Sequence, residues 1–437
     1  MAINFLTFLG TGAYSEVDYL LPDKKTYRTR YAQEAILAYF KKKLDCKENS
    51  VIVFVTEQAK NRNWCCDNGL ENIIKNVVPN MVIKPVQIES ISDEASIWKL
   101  FDTVIENIPD NSEIILDITH AFRSLPMLGL VIVHFARIVK HISLRGIFYG
   151  SIDDSNKNTG WIVDLSQMDR LLQWSFAANS FYTTGSAREI DRLTNEQVGF
   201  IIQHSHDKNT VLLLERKLAN KVKNILPILA TCRSKAIIDG SEFTEISTIT
   251  RQLHSYQNYS IKPLRSLYSL IEETTRLFKK NSFANLLCAV DLCIQYHLIQ
   301  QGITLLQESI VTIMLHLLHV EDITKRENRE AISRYFSFLE QPDSYTHPKC
   351  EEKYKLIGEK IEQVPEIKVF HQIFNKLRDI RNDINHAGLT NQNINANTFE
   401  ENLSKIFIES LTIFANNTID NELHEVAIAL LEKTRAV

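Results

Sequence analysis

Residues 113–126 read Glu-Ile-Ile-Leu-Asp-Ile-Thr-His-Ala-Phe-Arg-Ser-Leu-Pro, an apolar run followed by a polar loop and a proline. The run Glu113–Ile118 is typical of a buried strand, and Ser124 with Pro126 is typical of a helix N-terminus. In open parallel sheets, ligands bind at the carboxyl ends of the strands. The helix N–H groups beside Arg123 would suit a phosphate, although a capped junction with a solvated arginine explains the same residues. Two more side chains of the loop could bond to or stack on a base: His120 and Phe122.

The segments around this stretch alternate between strand and helix. Runs rich in β-branched and aromatic residues are separated by amphipathic stretches and by turn signals such as Pro109-Asp110-Asn111. This alternation predicts a Rossmann-like α/β domain with a largely parallel sheet covered by helices on both faces. The predicted strands are Ile3–Leu9, Ser50–Thr56, Met81–Val86, Glu113–Ile118 and Leu144–Tyr149, and the predicted helices are Arg30–Leu44, Gly69–Val77, Glu94–Ile108 and Ser124–Val139.

The pattern changes near residue 185, after which helical periodicity replaces the strand signals. We therefore predict an α/β region over residues 1–185, a helical connector over residues 186–280 and a second helical domain over residues 281–437. The predicted helices include Glu215–Leu229, Ser266–Lys279, Phe283–Gln300, Thr304–His319 and Glu400–Ala415, of which the third and fourth would form an antiparallel pair joined at Gly302.

The composition describes an ordinary globular protein of 437 residues, with 44% hydrophobic and 23% charged residues. A net charge of −4 argues against binding nucleic acid by overall charge, but it leaves room for a local basic groove. The seven cysteines are scattered without a Cys-x-x-Cys pair, which favours a reducing cytoplasm over a disulfide framework or zinc site. The longest apolar stretch, Leu125–Ala136, is too short to span a bilayer, and we expect no membrane association.

Two further polar segments follow predicted strands. Gly10-Thr11-Gly12-Ala13-Tyr14 follows the first strand, and its glycines would let backbone N–H groups approach an anion. Ser15 departs from the dinucleotide-binding pattern, and a mere tight turn is the alternative. Thr56-Glu57-Gln58 follows the second strand. Carboxyl ends of parallel strands share one edge of a sheet, so these segments should meet the loop that contains Thr119.

A second candidate site lies near the C-terminus, where Arg381-Asn382-Asp383-Ile384-Asn385-His386 continues an amphipathic helix that ends before Gly388. An imidazole and a guanidinium can move protons and stabilise a phosphate. Five residues place Arg381 and His386 about 140° apart around one helix, so a single chain presents them in different directions. Glu308, on a neighbouring predicted helix, could support the arginine. A solvated polar face and a surface carboxylate are the simpler interpretations.

Taken together, these segments resemble the CRISPR-associated CARF–HEPN ribonucleases of type III systems, in their Csx-type branch. The opening Phe-Leu-Gly-Thr-Gly-x-Tyr and the Asp-Ile-Thr-His-Ala-Phe-Arg-Ser-x-Pro segment are similar to the two ligand loops of the CARF sensor. Arg381 and His386 match the Arg-x4–6-His signature of HEPN nucleases. The resemblance spans residues 1–185 and about 280–437.

The resemblance implies an enzyme: a cytoplasmic, metal-independent endoribonuclease that cuts single-stranded RNA when a cyclic oligoadenylate binds its sensor. It implies a homodimer or higher homo-oligomer, in which two protomers complete one ligand pocket. No metal or other cofactor is expected, and cyclic tetra-adenylate is the expected activator. The implied catalytic residues are Arg381, Asn382, Asn385 and His386, and the implied ligand-binding residues are Gly10, Thr11, Gly12, Tyr14, Thr56, Glu57, Gln58, Thr119, His120, Phe122, Arg123 and Ser124.

Two other functions stay open at this stage. A ligand-sensing transcriptional regulator would use residues 188–280 to bind DNA. Alternatively, the sensor pocket could itself cleave its activator, with His120 or Thr11 taking part. The sequence leaves the ring size, the RNA sequence preference and the assembly beyond a dimer undetermined.

Overall fold

The computed structural model describes residues 1–119, 125–205, 209–256, 261–364, 367–390, 394–416 and 420–435, without the side chains of residues 125–127 and 204–205. The chain divides into two compact units, Met1–Gln173 and Trp174–Val437, and the division falls within one long helix. The Rossmann-like α/β region followed by a helical region is confirmed. The functional boundaries near 185 and 280 stay predictions.

The first unit is built on a mixed β-sheet. Its strands are β1 (Ile3–Leu9), β2 (Val17–Leu20), β3 (Thr26–Thr29), β4 (Ser50–Val55), β5 (Val82–Gln87), β6 (Glu113–Asp117), β7 (Ser143–Ile152) and β8 (Thr159–Asp164). Within the described part of the chain, their order is β3-β2-β8-β7-β6-β1-β4-β5. The five strands from β7 to β5 run parallel, whereas β8 is antiparallel to β7 and β3 is antiparallel to β2.

Helices cover both faces of this sheet. The helices of this part of the chain are α1 (Ala32–Leu44), α2 (Glu57–Ala59), α3 (Leu70–Val77), α4 (Glu94–Asn107), α5 (Leu125–Val139) and α6 (Ser166–Thr184), with a π-helical turn at Lys60–Trp64. The central strand β1 is buried along its whole length, as the burial of a parallel strand on both faces requires. Phe5 and Leu9 pack towards α1 and α3, whereas Leu6 and Phe8 pack towards α4 and α5.

The five predicted strands are present, and three strands escaped prediction: β2, β3 and β8. Strand β8 and the hairpin formed by β2 and β3 extend the sheet beyond β7. The predicted parallel sheet is therefore only the central part of a larger mixed one.

The second unit is helical throughout the residues that the structure describes there. Its helices are α7 (Arg188–Ser205), α8 (Thr210–Ala230), α9 (Ser234–Asp239), α10 (Ser241–His254), α11 (Lys262–Arg265), α12 (Tyr268–Thr275), α13 (Asn285–Gln295), α14 (Ile299–Leu317), α15 (Arg326–Glu340), α16 (Lys355–Lys360), α17 (Ile367–Asn385), α18 (Phe399–Asn416) and α19 (Asn421–Arg435), with 3-10 turns at Pro348–Cys350, Ile361–Gln363 and Ala396–Thr398. One continuous hydrophobic core joins helices from both predicted helical regions. No described helix is long and apolar enough to cross a membrane.

The turn between α13 and α14 corrects one prediction. Gly302 lies inside α14 and does not join two helices; a Cβ atom there would lie 2.7 Å from Cδ2 of Leu403 on α18. The turn is made instead at Tyr296–Leu298, where His297 has a φ of +56° and the Leu298 N–H donates to the Cys293 carbonyl at 2.8 Å. Gly302 thus permits a close approach between helices.

Candidate functional site

The loop after β1 is held in place from a neighbouring segment. The Nδ2 atom of Asn63, in the turn after β4, donates to the carbonyl oxygens of Gly10 at 2.8 Å and of Gly12 at 3.0 Å. Because these two carbonyls are occupied, the shape of the glycine loop is fixed by a buried side chain. The ring of Tyr14 packs at 5.1 Å from that of Tyr31, and burial raises the pKa of the Tyr14 phenol, which therefore stays neutral.

The segment after β4 begins with a capped helical turn. The Thr56 hydroxyl oxygen accepts the N–H of Ala59 at 3.2 Å, so Thr56 has a structural task at the start of α2. The next two residues, Glu57 and Gln58, are exposed. Thr56 therefore fixes where these two polar side chains emerge at the end of β4.

A buried carboxylate joins three strands at the end of β6. Asp117 has no exposed surface; it accepts the Thr7 hydroxyl at 2.6 Å and the N–H of Thr119 at 3.0 Å, as well as the Thr119 hydroxyl. The Thr119 oxygen in turn accepts the N–H of Gly150, on β7, at 2.8 Å. Burial raises the pKa of Asp117 to about 6, against the opposing effect of these hydrogen bonds.

The three polar segments of the first unit lie at one edge of the sheet. Strands β6, β1 and β4 are parallel neighbours, so the loops that follow them leave from the same edge. The chain order reverses between β1 and β6, which is where open α/β sheets bind ligands. The structure thus brings together Gly10, Thr11, Gly12, Tyr14, Thr56, Glu57, Gln58 and Thr119, whereas His120, Phe122, Arg123 and Ser124 lie outside the described residues.

Sequence reasoning missed two residues that hold this edge. Neither Asn63 nor Asp117 was selected as a site residue, yet each holds a loop of the candidate ligand edge. A signal existed for Asp117, because a carboxylate at the end of a strand buried on both faces must find hydrogen-bond donors. Asn63 stands out only through the family resemblance, in which it occurs with Trp64, because no local pattern points to backbone carbonyls more than fifty residues away.

The second unit holds the arginine of the other candidate site. The apolar face of α17 is buried as predicted, and Arg381 lies on its polar side with 32% of its side chain exposed. Its Nη1 atom donates to Oε1 of Gln307 at 3.0 Å and to Oε1 of Glu308 at 3.4 Å. Glu308 also accepts Nη2 of Arg329 at 2.7 Å through its other oxygen. The carboxylate of Glu308 therefore supports the arginine, which was the less simple of the two interpretations that the sequence left open.

This support uses only one side of the guanidinium. Nη1 contacts α14, and neither Nε nor Nη2 of Arg381 has a described partner. These two nitrogens form the planar edge that binds phosphate oxygens in a bidentate manner. Arg381 is thus held at one nitrogen and open at the others, beside a cavity of about 410 Å³.

His386 follows the last residue of α17 and is exposed. Its backbone N–H still donates to the Asn382 carbonyl at 2.9 Å, so the residue continues the helical path. The side chains of His386 and Arg381 therefore leave the helix about 140° apart. Asn382 and Asn385 are exposed on the same final turns. The structure places the four residues on one helix end, without bringing the arginine and the histidine onto a common face.

A buried carboxylate holds the turn that follows His386. Ala387 and Gly388 have φ angles of +54° and +73°, a left-handed conformation that is unfavourable for alanine. Asp383, which is 2% exposed, accepts the Thr390 hydroxyl and the N–H of Ile394 at 3.3 Å. The buried carboxylate in the middle of the motif therefore ties the following segment back to α17.

The described ranges contain no group of three or more His, Cys, Asp or Glu side chains that is suitably placed to bind a metal ion. The histidines with the spacing closest to a metal motif have other surroundings. His316 bonds to Asp420 at 2.9 Å and stacks on Phe283, and His319 is exposed.

The α/β architecture of the first unit agrees with a comparison to known families. Residues 4–153 match the family model of the CARF domain of the CRISPR system endoribonuclease Csx1. This match covers most of the first unit, Met1–Gln173, and about a third of the whole chain.

Among individual relatives, the CRISPR-associated protein MJ1674 of Methanocaldococcus jannaschii is 31% identical over 183 residues, which make up 40% of this chain and 28% of that protein. The match thus spans little more than a quarter of the relative. A solved structure of Enterococcus italicus Csm6 bound to cyclic hexa-2'-fluoro-hexa-dAMP aligns over 99% of both chains, with 13% identity and a TM-score of 0.36. That similarity is too low to establish a common fold.

Proposed function

We propose that this protein is an endoribonuclease of type III CRISPR defence, in which a cyclic oligoadenylate binds the CARF domain and switches on the cutting of single-stranded RNA by the helical unit. The main observation behind the proposal is how the guanidinium of Arg381 is held and exposed. A guanidinium that is held by Gln307 and Glu308, is partly exposed and keeps a free edge can stabilise a phosphate, and an exposed imidazole follows it at the end of the same helix.

The chemistry follows from these groups. The 2′-OH of the RNA attacks the adjacent phosphorus, the 5′-oxygen leaves, and the products carry a 2′,3′-cyclic phosphate and a 5′-OH. His386 would transfer the proton, and the free edge of Arg381 would stabilise the charge that develops on the phosphorane. Asn382 and Asn385 would orient the phosphate or a base. No metal is needed for these steps.

The direction of the side chains calls for two chains. Arg381 and His386 point about 140° apart, so one helix end cannot place both on the same phosphate. Two copies of α17 that meet across a two-fold axis would bring the arginine of one copy towards the histidine of the other. We therefore propose a composite active site in a homodimer.

The sensor edge would be completed in the same way. In the proposed dimer, each CARF domain contributes Gly10–Tyr14 and the segment that begins at Thr119 to a shared pocket for the cyclic oligoadenylate. The ligand must bind the active arrangement more tightly than the resting one, because equal affinity for both would shift nothing. We propose cyclic tetra-adenylate as the activator.

The test is a cleavage assay on full-length protein with end-labelled single-stranded RNA, in EDTA, with cyclic tri-, tetra- or hexa-adenylate. We expect cleavage with the tetra-adenylate and products whose new 5′ ends are hydroxyls. Arg381→Ala and His386→Ala should each lower the rate by about 10² to 10⁴-fold. Lys376→Ala removes another exposed cation from α17 and should keep full activity. Absence of cleavage with all three rings would overturn the proposal.

A further inference from the structure

The cavity beside Arg381 contains more positive charge than the proposed chemistry uses. Its lining comes from α14, α15, α17 and the segment before α15, and it includes Arg326, Arg329 and Arg381 together with Glu308 and Glu330. With a volume of about 410 Å³, the cavity is wide enough for a phosphate with part of its nucleotide. Its three guanidinium groups, Arg381 among them, suit an anionic ligand.

The three arginines differ in how firmly they are held. Arg329 donates to the Thr312 hydroxyl at 3.1 Å, to the Ile323 carbonyl at 3.1 Å and to the carboxylate of Glu308. These bonds commit Arg329 to the packing of α14 and α15 and to the support of Arg381. Arg329 is therefore a structural residue of the cavity wall.

Arg326 is available to a ligand. Its side chain is 86% exposed and pairs with Glu330 at 2.6 Å, and an exposed ion pair of this kind contributes little to stability. Glu330 also accepts the Tyr354 hydroxyl at 2.8 Å and pairs with Lys353 at 3.3 Å. If Arg326 turned towards a phosphate, Glu330 would still have two partners. Moving this guanidinium leaves no carboxylate unpaired.

We infer that this cavity is a subsite for a second phosphate of the RNA strand, adjacent to the scissile one, and that Arg326 binds it. The inference rests on the proposed ribonuclease function, because Arg381 would hold the scissile phosphate at the same cavity. The strand would then be gripped at two consecutive phosphates, one at the reacting bond and one beside it. Arg326 is a substrate-binding residue and takes no part in proton transfer.

The test measures RNA binding to full-length His386→Ala protein, which cannot complete the reaction, in the presence of cyclic tetra-adenylate. Adding Arg326→Ala should weaken binding of a short single-stranded RNA about three- to tenfold, and it should reduce the slope of log K against log salt by about 0.7. Arg326→Lys keeps a positive charge and should restore most of that slope. Because Arg326 is largely exposed, these substitutions should leave the fold intact.

Arg334→Ala is the matched control. Arg334 lies on the same helix, pairs with Glu351 at 3.1 Å, and does not line the cavity. RNAs with one neutral methylphosphonate then locate the contact. A methylphosphonate next to the cleavage position should abolish the difference in RNA affinity between the His386→Ala protein and the same protein with Arg326→Ala. A methylphosphonate at a distant position should preserve that difference.

Equal binding by the Arg326→Ala and Arg334→Ala variants would overturn the subsite, as would a lack of measurable RNA binding. Failure of the proposed function gives a different pattern, since wild-type protein would then cleave no RNA whatever Arg326 does. Cleavage by wild-type protein with no effect of Arg326 on binding would reject the subsite alone.

Discussion

At the scale of single residues, Asp117 combines full burial with a titratable group. Its hydrogen bonds reach Thr7 on β1 and Thr119 after β6, and through Thr119 they reach Gly150 on β7. Removing this carboxyl from water raises its pKa to about 6, above the ordinary value near 3.8. The ionised form is thus the less favourable one inside the fold, although it holds the segment that leads into the candidate ligand loop.

This shift predicts an unusual pH dependence of stability. A carboxyl whose pKa is raised on folding stabilises the fold fully below pH 3.8, and this contribution is lost as the pH rises through 6. Asp117→Asn cannot ionise and resembles the protonated acid. We expect it to melt like wild type near pH 4 and at a higher temperature at pH 7 to 8, by the equivalent of about 3 kcal/mol. Calorimetry of both full-length proteins across this pH range measures the difference in melting temperature. Parallel curves of melting temperature against pH would contradict the raised pKa of Asp117.

At this scale, the sequence predicted residues whose side-chain chemistry suits a site, and it missed a residue that holds a loop in place through a tertiary contact. Arg381, His386 and the glycine loop were predicted because their residue types and spacing suit phosphate and proton chemistry. Asn63 was missed because its two bonds to Gly10 and Gly12 depend on a tertiary contact that no local pattern encodes. Glu308 was considered because it lies on a neighbouring predicted helix, and the structure places it against Arg381.

At the scale of elements, the central strands were predictable and the edge strands were not. β1 was predicted at its observed bounds, because a strand buried on both faces is a continuous apolar run. β2 and β3 have four residues each, and β8 presents exposed alternate positions, so their patterns are too short or too polar to predict strands. β5 contains Pro85 and was still identified; it is an edge strand, where a proline is tolerated.

The turn that carries His386 gives a prediction for an element. Asp383 holds Thr390 while Ala387 adopts a left-handed conformation, so the turn depends on this anchor. Thr390→Val keeps the shape of the side chain and removes the hydroxyl. We expect a fall of about tenfold or more in kcat with little change in KM, because a displaced imidazole impairs the chemical step more than binding. Single-turnover RNA cleavage measures this effect.

Two further variants separate positioning from general loosening of the loop. Thr390→Ser restores the hydroxyl and should restore kcat. Thr398→Val removes a hydroxyl that donates to the Asn395 carbonyl at 2.8 Å in the next turn, and it should behave like wild type. A similar loss of kcat in the Thr390→Val and Thr398→Val variants would mean that Asp383 only stabilises the fold.

At the scale of the whole molecule, the net charge of −4 and the proposed RNA substrate are compatible because the basic groups are concentrated. Arg326, Arg329 and Arg381 line one cavity, and their carboxylate neighbours are already shared with other donors. Affinity for a strand of phosphates requires such a local cluster and not an overall positive charge. The sequence could predict the residues of this cluster only in part, since Arg326 and Arg329 are more than fifty residues from Arg381 along the chain.

The proposed composite site can be tested by complementation between two inactive chains. A mixed dimer of an Arg381→Ala chain and a His386→Ala chain, purified through two different tags, contains no chain with both residues. If the arginine of one copy works with the histidine of the other, one of the two composite sites keeps both of its residues. The mixed dimer should then have about half of the wild-type activity.

If each chain supplied both groups to its own site, the mixed dimer would be as inactive as either parent. Failure to recover a doubly tagged species would contradict the dimer itself. The half-activity result follows from the angle of about 140° on α17, because that angle prevents one helix end from presenting both groups to one phosphate.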